Sequence, residues 1–179
     1  MSKLRSRLPP SFSVTVGMNA TAGQFTRLMF QVLARAAVLA PTDFFAGLRK
    51  GVKAALPPGM RDFSIMRGHS RLLKIHFGEP SLHFEAWHHT GDGRLEVGLH
   101  FEGPEALNDA ALEYFRARMV EVKAQLPRAE LEPWDRGWSR LYETLPAPQL
   151  DEQVQAGAIE RMAGYITVLK PMVDRFLEE

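Results

Sequence analysis

The six histidines, His69, His76, His83, His88, His89 and His100, all fall in one stretch of the 179-residue chain, interleaved with Glu85, Glu96 and Glu102. Imidazole and carboxylate are the side chains that bind divalent cations or move protons near neutral pH, so their placement on a common surface matters. Side chains alternate faces along a strand. Leu95, Val97, Leu99 and Phe101 are apolar, which leaves Glu96, Gly98, His100 and Glu102 on the opposite face. On the preceding strand Leu82, Phe84 and Ala86 are the apolar set, so His83, Glu85, Trp87 and His89 oppose it. A two-residue turn at Asp92-Gly93 places His89 beside Glu96, Trp87 over Gly98, Glu85 beside His100 and His83 beside Glu102. Pairing Phe77 with Leu82 adds His76 beside His83 and Lys74 beside Glu85, giving the rows His76, His83, Glu102 and Lys74, Glu85, His100.

His76, His83 and Glu102 are thus candidate ligands of a divalent metal such as zinc, manganese or iron, and a neighbouring glutamate could act as base on bound water. Lys74, Glu85, Trp87 and His100 are candidate ligand contacts on the same surface. The competing reading is a solvated or helix-covered face held by cross-strand Glu/His and Glu/Lys pairs. No HExxH, GxGxxG, P-loop or nucleophile-elbow pattern is present. Trp134, Trp138 and Tyr142 with Arg136 and Arg140 could stack bases, but on a short hairpin they read better as core and cation–π packing.

The elements that must position these groups are legible from period and punctuation. Residues 11–16 alternate as a strand, Thr21-Ala22-Gly23-Gln24 is a capping box, and an apolar stripe predicts a helix through about Leu39. Pro41 stops it, and Thr42 caps a second helix with Phe45, Leu48, Val52 and Leu56 inward and Arg49, Lys50 and Lys53 away from that stripe. Between Asp62 and Glu102 the period is two, cut by glycine-containing turns into a four-stranded antiparallel meander. Gly103-Pro104 opens a helix running to Leu126, two short strands surround Asp135-Arg136-Gly137, and a last helix spans about Gln149 to Leu177 with Pro171 expected to bend it. The fold class is α+β: an antiparallel sheet packed by helices.

From about Arg94 to Phe176 the chain resembles the C-terminal module of an uncharacterised bacterial domain family often fused to nuclease-like or DNA-defence modules. The resemblance is carried by Leu95-Glu96-Val97, Asn108 and Phe115, Glu130-Leu131-Glu132-Pro133-Trp134, Ser139-Arg140-Leu141-Tyr142 and Tyr165-Ile166. It implies a DNA-associated role and supplies no catalytic residues.

Charge points the same way. The net charge of +1 conceals 12 basic against two acidic residues before position 76, a balance of +10, and 10 against 19 from there on, a balance of −9. A basic segment attracts phosphates, and Arg49, Lys50, Lys53, Arg67 and Arg71 are the candidate nucleic-acid contacts. Alternatively, the two halves neutralise each other or a second copy, which would make a homo-oligomer. With 45% hydrophobic and 24% charged residues, no long apolar run and no cysteine, the chain is expected to be a cytoplasmic globular domain over 1–179, its first ten residues flexible, without membrane partners. Lys3, Arg5 and Arg7 imitate a secretion signal, but Pro9 and Pro10 stand where its apolar segment should begin. The expected function is a non-enzymatic binding or regulatory module near nucleic acid. Its rivals are a metal-dependent hydrolase, with that metal the one cofactor considered, and a homo-oligomerising interaction protein.

Overall fold

Alternating apolar residues need a helical layer on one side only, and the chain folds accordingly. The computed structural model describes residues 37–179; the expected strand at 11–16, the capping box and most of the first helix lie outside them. Helix α1 covers Pro41–Ala55, followed by strands β1 (Ser64–Ile65), β2 (Leu72–His76), β3 (Leu82–His89) and β4 (Arg94–Phe101). Helices α2 (Glu105–Ala117) and α3 (Met119–Gln125), strands β5 (Glu130–Pro133) and β6 (Ser139–Pro146), and the long helix α4 (Glu152–Glu178) complete the described chain. The six strands form one antiparallel sheet in the order β1-β2-β3-β4-β6-β5. The fold is therefore α+β, with the meander that the period-2 pattern predicts.

Leu73, Ile75, Phe84, Ala86, Leu95, Val97, Leu99 and Leu141 line one side of the sheet and are buried with Phe44, Leu48 and Val52 of α1 and Met162, Ile166 and Leu169 of α4. Helix α2 adds Phe115, stacked on Phe101 at 5.4 Å between ring centroids. Asn108 of α2 is buried and donates to the carbonyls of Gly103 and Gly137, tying the start of this helix to the β5–β6 turn. Asp151 caps α4 by accepting from the Val154 N–H at 2.8 Å. The helix continues through Pro171 without ending.

Four boundaries differ from expectation, each for a local reason. Leu39 is not helical: the Leu39 N–H donates to the Leu150 carbonyl and Val38 bridges Asp151, and Ala40, the residue before Pro41, is extended. Pro41, not Thr42, begins α1, since the first helical position needs no N–H donor. The run from Glu105 to Gln125 breaks at Arg118, whose guanidinium lies 3.5 Å from the Tyr114 ring centroid and donates to the Tyr114 carbonyl. The β3–β4 connection is a four-residue loop, Thr90 to Gly93, with His89 opposite Arg94 and Gly93 in the left-handed region at φ 63°.

Candidate functional site

That longer loop shifts β3 against β4 by two residues from the expected pairing and keeps every side chain on its face. His83 now lies opposite His100 and Glu85 opposite Gly98, while Lys74 remains opposite Glu85 as expected. Beyond β4, His100 faces Arg140 and Gly98 faces Tyr142. A Cβ on Gly98 would stand 2.6 Å from the Leu141 carbonyl oxygen, so only glycine permits this close approach of β4 and β6.

The polar face of the sheet carries a buried charge network. His83 and His100 are fully buried, and Glu85 and Glu96 are each 2% exposed. Lys74 Nζ lies 3.0 Å from Glu85 Oε2 and 2.7 Å from Glu102 Oε2. His83 uses Nδ1–H to donate to the Pro80 carbonyl at 2.9 Å, which turns Nε2 toward Glu85 Oε2 at 3.4 Å and Glu102 Oε2 at 3.7 Å. His100 stacks on His83 with ring centroids 5.8 Å apart. Its Nε2 is 3.1 Å from Glu96 Oε1 and its Nδ1 3.6 Å from Glu102 Oε1, yet neither nitrogen completes a hydrogen bond. Arg140 closes the far side by donating to Glu96 at 2.7 Å and Glu132 at 2.6 Å, and His89 reaches Glu96 at 3.2 Å.

Aromatic rings cover the network. Trp134 meets His100 edge-on at 5.5 Å, Trp87 lies 6.0 Å from Trp134 and 4.0 Å from His89, and Trp138 is 6.0 Å from Trp134. The Arg140 guanidinium sits 4.9 Å from Trp134 and 4.1 Å from Tyr142, so the hairpin aromatics pack by cation–π contact.

Burial penalises charge at each of these groups, and the opposite charges outweigh it. Desolvation alone would lower the His100 pKa, but Glu102, Glu96 and Glu85 hold it up at about 9. For Glu102 desolvation pushes upward, and His100, Lys74 and His83 bring it down to about 2. Glu85 is likewise lowered against its burial by His83, His100 and Lys74, and Lys74 is raised against its burial by Glu102 and Glu85.

No known protein family, curated protein or solved structure matches the chain. The site is therefore read from its own chemistry. One ligand atom each from His83, Glu85, His100 and Glu102 lies within 4.8 Å of the others. Of the expected ligands, His83 and Glu102 belong to this cluster and His76 does not; its buried Nδ1 has no hydrogen-bond partner. Of the expected ligand contacts, Glu85 and His100 belong to the cluster, Lys74 bridges it, and Trp87 lies in the aromatic layer. Sequence reasoning did not assign Glu96 or Arg140 to the site. For Glu96 the signal was the alternation of β4, which puts it on the face of His100 and Glu102, and for Arg140 the phase of the β5–β6 hairpin, which puts it opposite Glu132.

The expected nucleic-acid contacts divide. Arg49, Lys50 and Lys53 are exposed along α1 and line a groove of about 550 Å³ with Ala46, Phe63 and Ile65. Lys53 Nζ is 5.8 Å from the Phe63 ring centroid, and Ile65 is 41% exposed. Among the described residues none of these three cations has a carboxylate within 4.0 Å. Arg67 and Arg71 lie instead in the β1–β2 connection, and Arg71 is bound to His88 Nδ1 at 3.0 Å. Among the described residues no helix is long and apolar enough to cross a membrane.

Proposed function

We propose that this protein is a non-enzymatic binding module that takes up nucleic acid along the cationic groove between α1 and β1. The observation that carries this reading is the alignment of Arg49, Lys50 and Lys53 over the apolar floor of Phe63 and Ile65. Helix spacing brings three cations to one wall of the groove, where Coulomb attraction to phosphate is undiminished by carboxylate partners among the described residues. Phe63 and Ile65 offer the surface on which a base or sugar face loses water, an arrangement suited to single strands. The seven basic against two acidic residues between positions 37 and 75 support the same partner.

The test is fluorescence anisotropy of labelled single-stranded and duplex oligonucleotides at about 0.15 M salt, a concentration that screens exposed charge over about 8 Å. Wild type is expected to bind, and the triple variant Arg49→Ala, Lys50→Ala, Lys53→Ala to lose binding while keeping its fold. Salt-sensitive dimers in sedimentation, with no response to either oligonucleotide, would overturn the proposal and assign the groove to an acidic surface of a second copy.

A further inference from the structure

We propose that His83, Glu85, His100 and Glu102 form a binding site for a divalent transition-metal cation, for which the Lys74 ammonium is the built-in competitor. The site is independent of the nucleic-acid groove: its ligands come from β3, β4 and the residue just after β4. Two imidazole nitrogens and two carboxylate oxygens suit zinc, manganese or iron, whereas calcium and magnesium prefer oxygen alone. Ligand atoms 4.8 Å apart or closer must draw in to about 3.4 Å for a tetrahedral ion with bonds of about 2.1 Å, a movement that side-chain rotation supplies.

His83 already has the two-sided arrangement of metal-bound histidine, in which one ring nitrogen is held from behind and the other faces the ion, and His100 approaches it with Glu96 at 3.1 Å behind Nε2. His83 gives Nδ1–H to the Pro80 carbonyl, so in the neutral ring Nε2 carries a lone pair. That lone pair faces Glu85 and Glu102 oxygens at 3.4 and 3.7 Å, a contact that is repulsive unless a cation or proton lies between them. His100 has Glu96 behind Nε2 and turns Nδ1 toward Glu102, and this fully buried ring completes no hydrogen bond. The Nδ1–Glu102 separation of 3.6 Å is longer than a hydrogen bond, and an ion on Nδ1 bridges that gap.

Lys74 sets the condition for entry. Its Nζ occupies the position between Glu85 Oε2 and Glu102 Oε2 where a cation would sit. Its side chain is 15% exposed, and its flexible stem can carry the ammonium outward. Metal and ammonium therefore exclude each other, and removing the ammonium strengthens metal binding.

The experiment is isothermal titration of zinc chloride and, separately, manganese chloride into untagged full-length protein, with thermal shift in parallel. Wild type, Lys74→Met, His83→Gln, Glu85→Gln and the control His69→Ala are compared. The expected result is one ion per chain in wild type, at least tenfold tighter binding in Lys74→Met, loss in His83→Gln and Glu85→Gln, and no change in His69→Ala. Failure of wild type and Lys74→Met to bind either ion at millimolar concentration would overturn the proposal. So would binding that survives His83→Gln and Glu85→Gln, or equal affinity in wild type and Lys74→Met. Lys74→Met is a gain of affinity, so a misfolded His83→Gln cannot imitate the expected result, and the wild-type titration stands without any variant.

Discussion

Three carboxylates on the polar face of the sheet, Glu85, Glu96 and Glu102, are each met by Lys74, His100 or Arg140 within 4 Å, whereas three cations on α1 stand in an open groove without such partners among the described residues. The difference follows from solvent. A charge removed from water must be neutralised by neighbours in the fold, so buried charges occur as a set and fail as a set. An exposed charge is stabilised by water, costs the fold almost nothing, and remains available to an outside partner. The same residue types therefore serve stability in one region and, in the proposed function, recognition in the other.

The largest effect that this contrast predicts is on Glu96→Ala. It leaves the fully buried His100 and the mostly buried Arg140 without their shared carboxylate, and the expected loss is about 3–5 kcal/mol in urea unfolding. Lys50→Ala, on the exposed side, is expected to change the same measurement by less than about 0.5 kcal/mol. Equal losses at the two positions would break the comparison. Gly98→Ala comes next, since its new methyl group would press on the Leu141 carbonyl and on Tyr142. A destabilisation of about 1–3 kcal/mol, seen as a lower urea midpoint, is expected.

The pH profile separates the two regions, because both of its declines come from the buried network. His100, held at about 9 in the folded protein against 6.5 ordinarily, contributes stability that is complete below about pH 6.5 and lost as pH rises to about 9. Glu102, held at about 2 against 4.5, contributes stability present above about pH 4.5 and lost as pH falls toward 2. Urea midpoints should therefore be highest between those limits and decline on both sides. His100→Gln should remove the alkaline decline specifically, and the groove variants should leave the whole profile unchanged.

Much of the buried network was legible because strand phase is local information. The alternation in β3 and β4 assigns His83, Glu85, His100 and Glu102 to one face without knowledge of the partner strand. Their pairing was not, because it depends on loop length, and Asp92-Gly93 is a good two-residue turn that the chain extends to Thr90 and Gly91. The phase is preserved because a shift of two residues keeps faces and changes neighbours. Burial was also hidden. A polar face reads as solvated until Trp134 and Arg140, some 40 residues away along the chain, are known to lie over it. The break at Arg118 carries no glycine or proline signal; it is marked by a side chain folding back on Tyr114. On α1 the stripe Phe45, Leu48, Val52, Leu56 was sufficient to place Arg49, Lys50 and Lys53 outside.

The central claim is that the groove cations, and not the buried ones, meet phosphate. Its most direct test is the slope of log affinity against log salt for one single-stranded oligonucleotide, measured for wild type and for the triple alanine variant of Arg49, Lys50 and Lys53. Each phosphate contact on a single strand contributes about 0.7 to that slope. Three contacts predict that the variant binds more weakly with a slope shallower by about 2. Equal slopes and equal affinities in the two proteins would contradict the account.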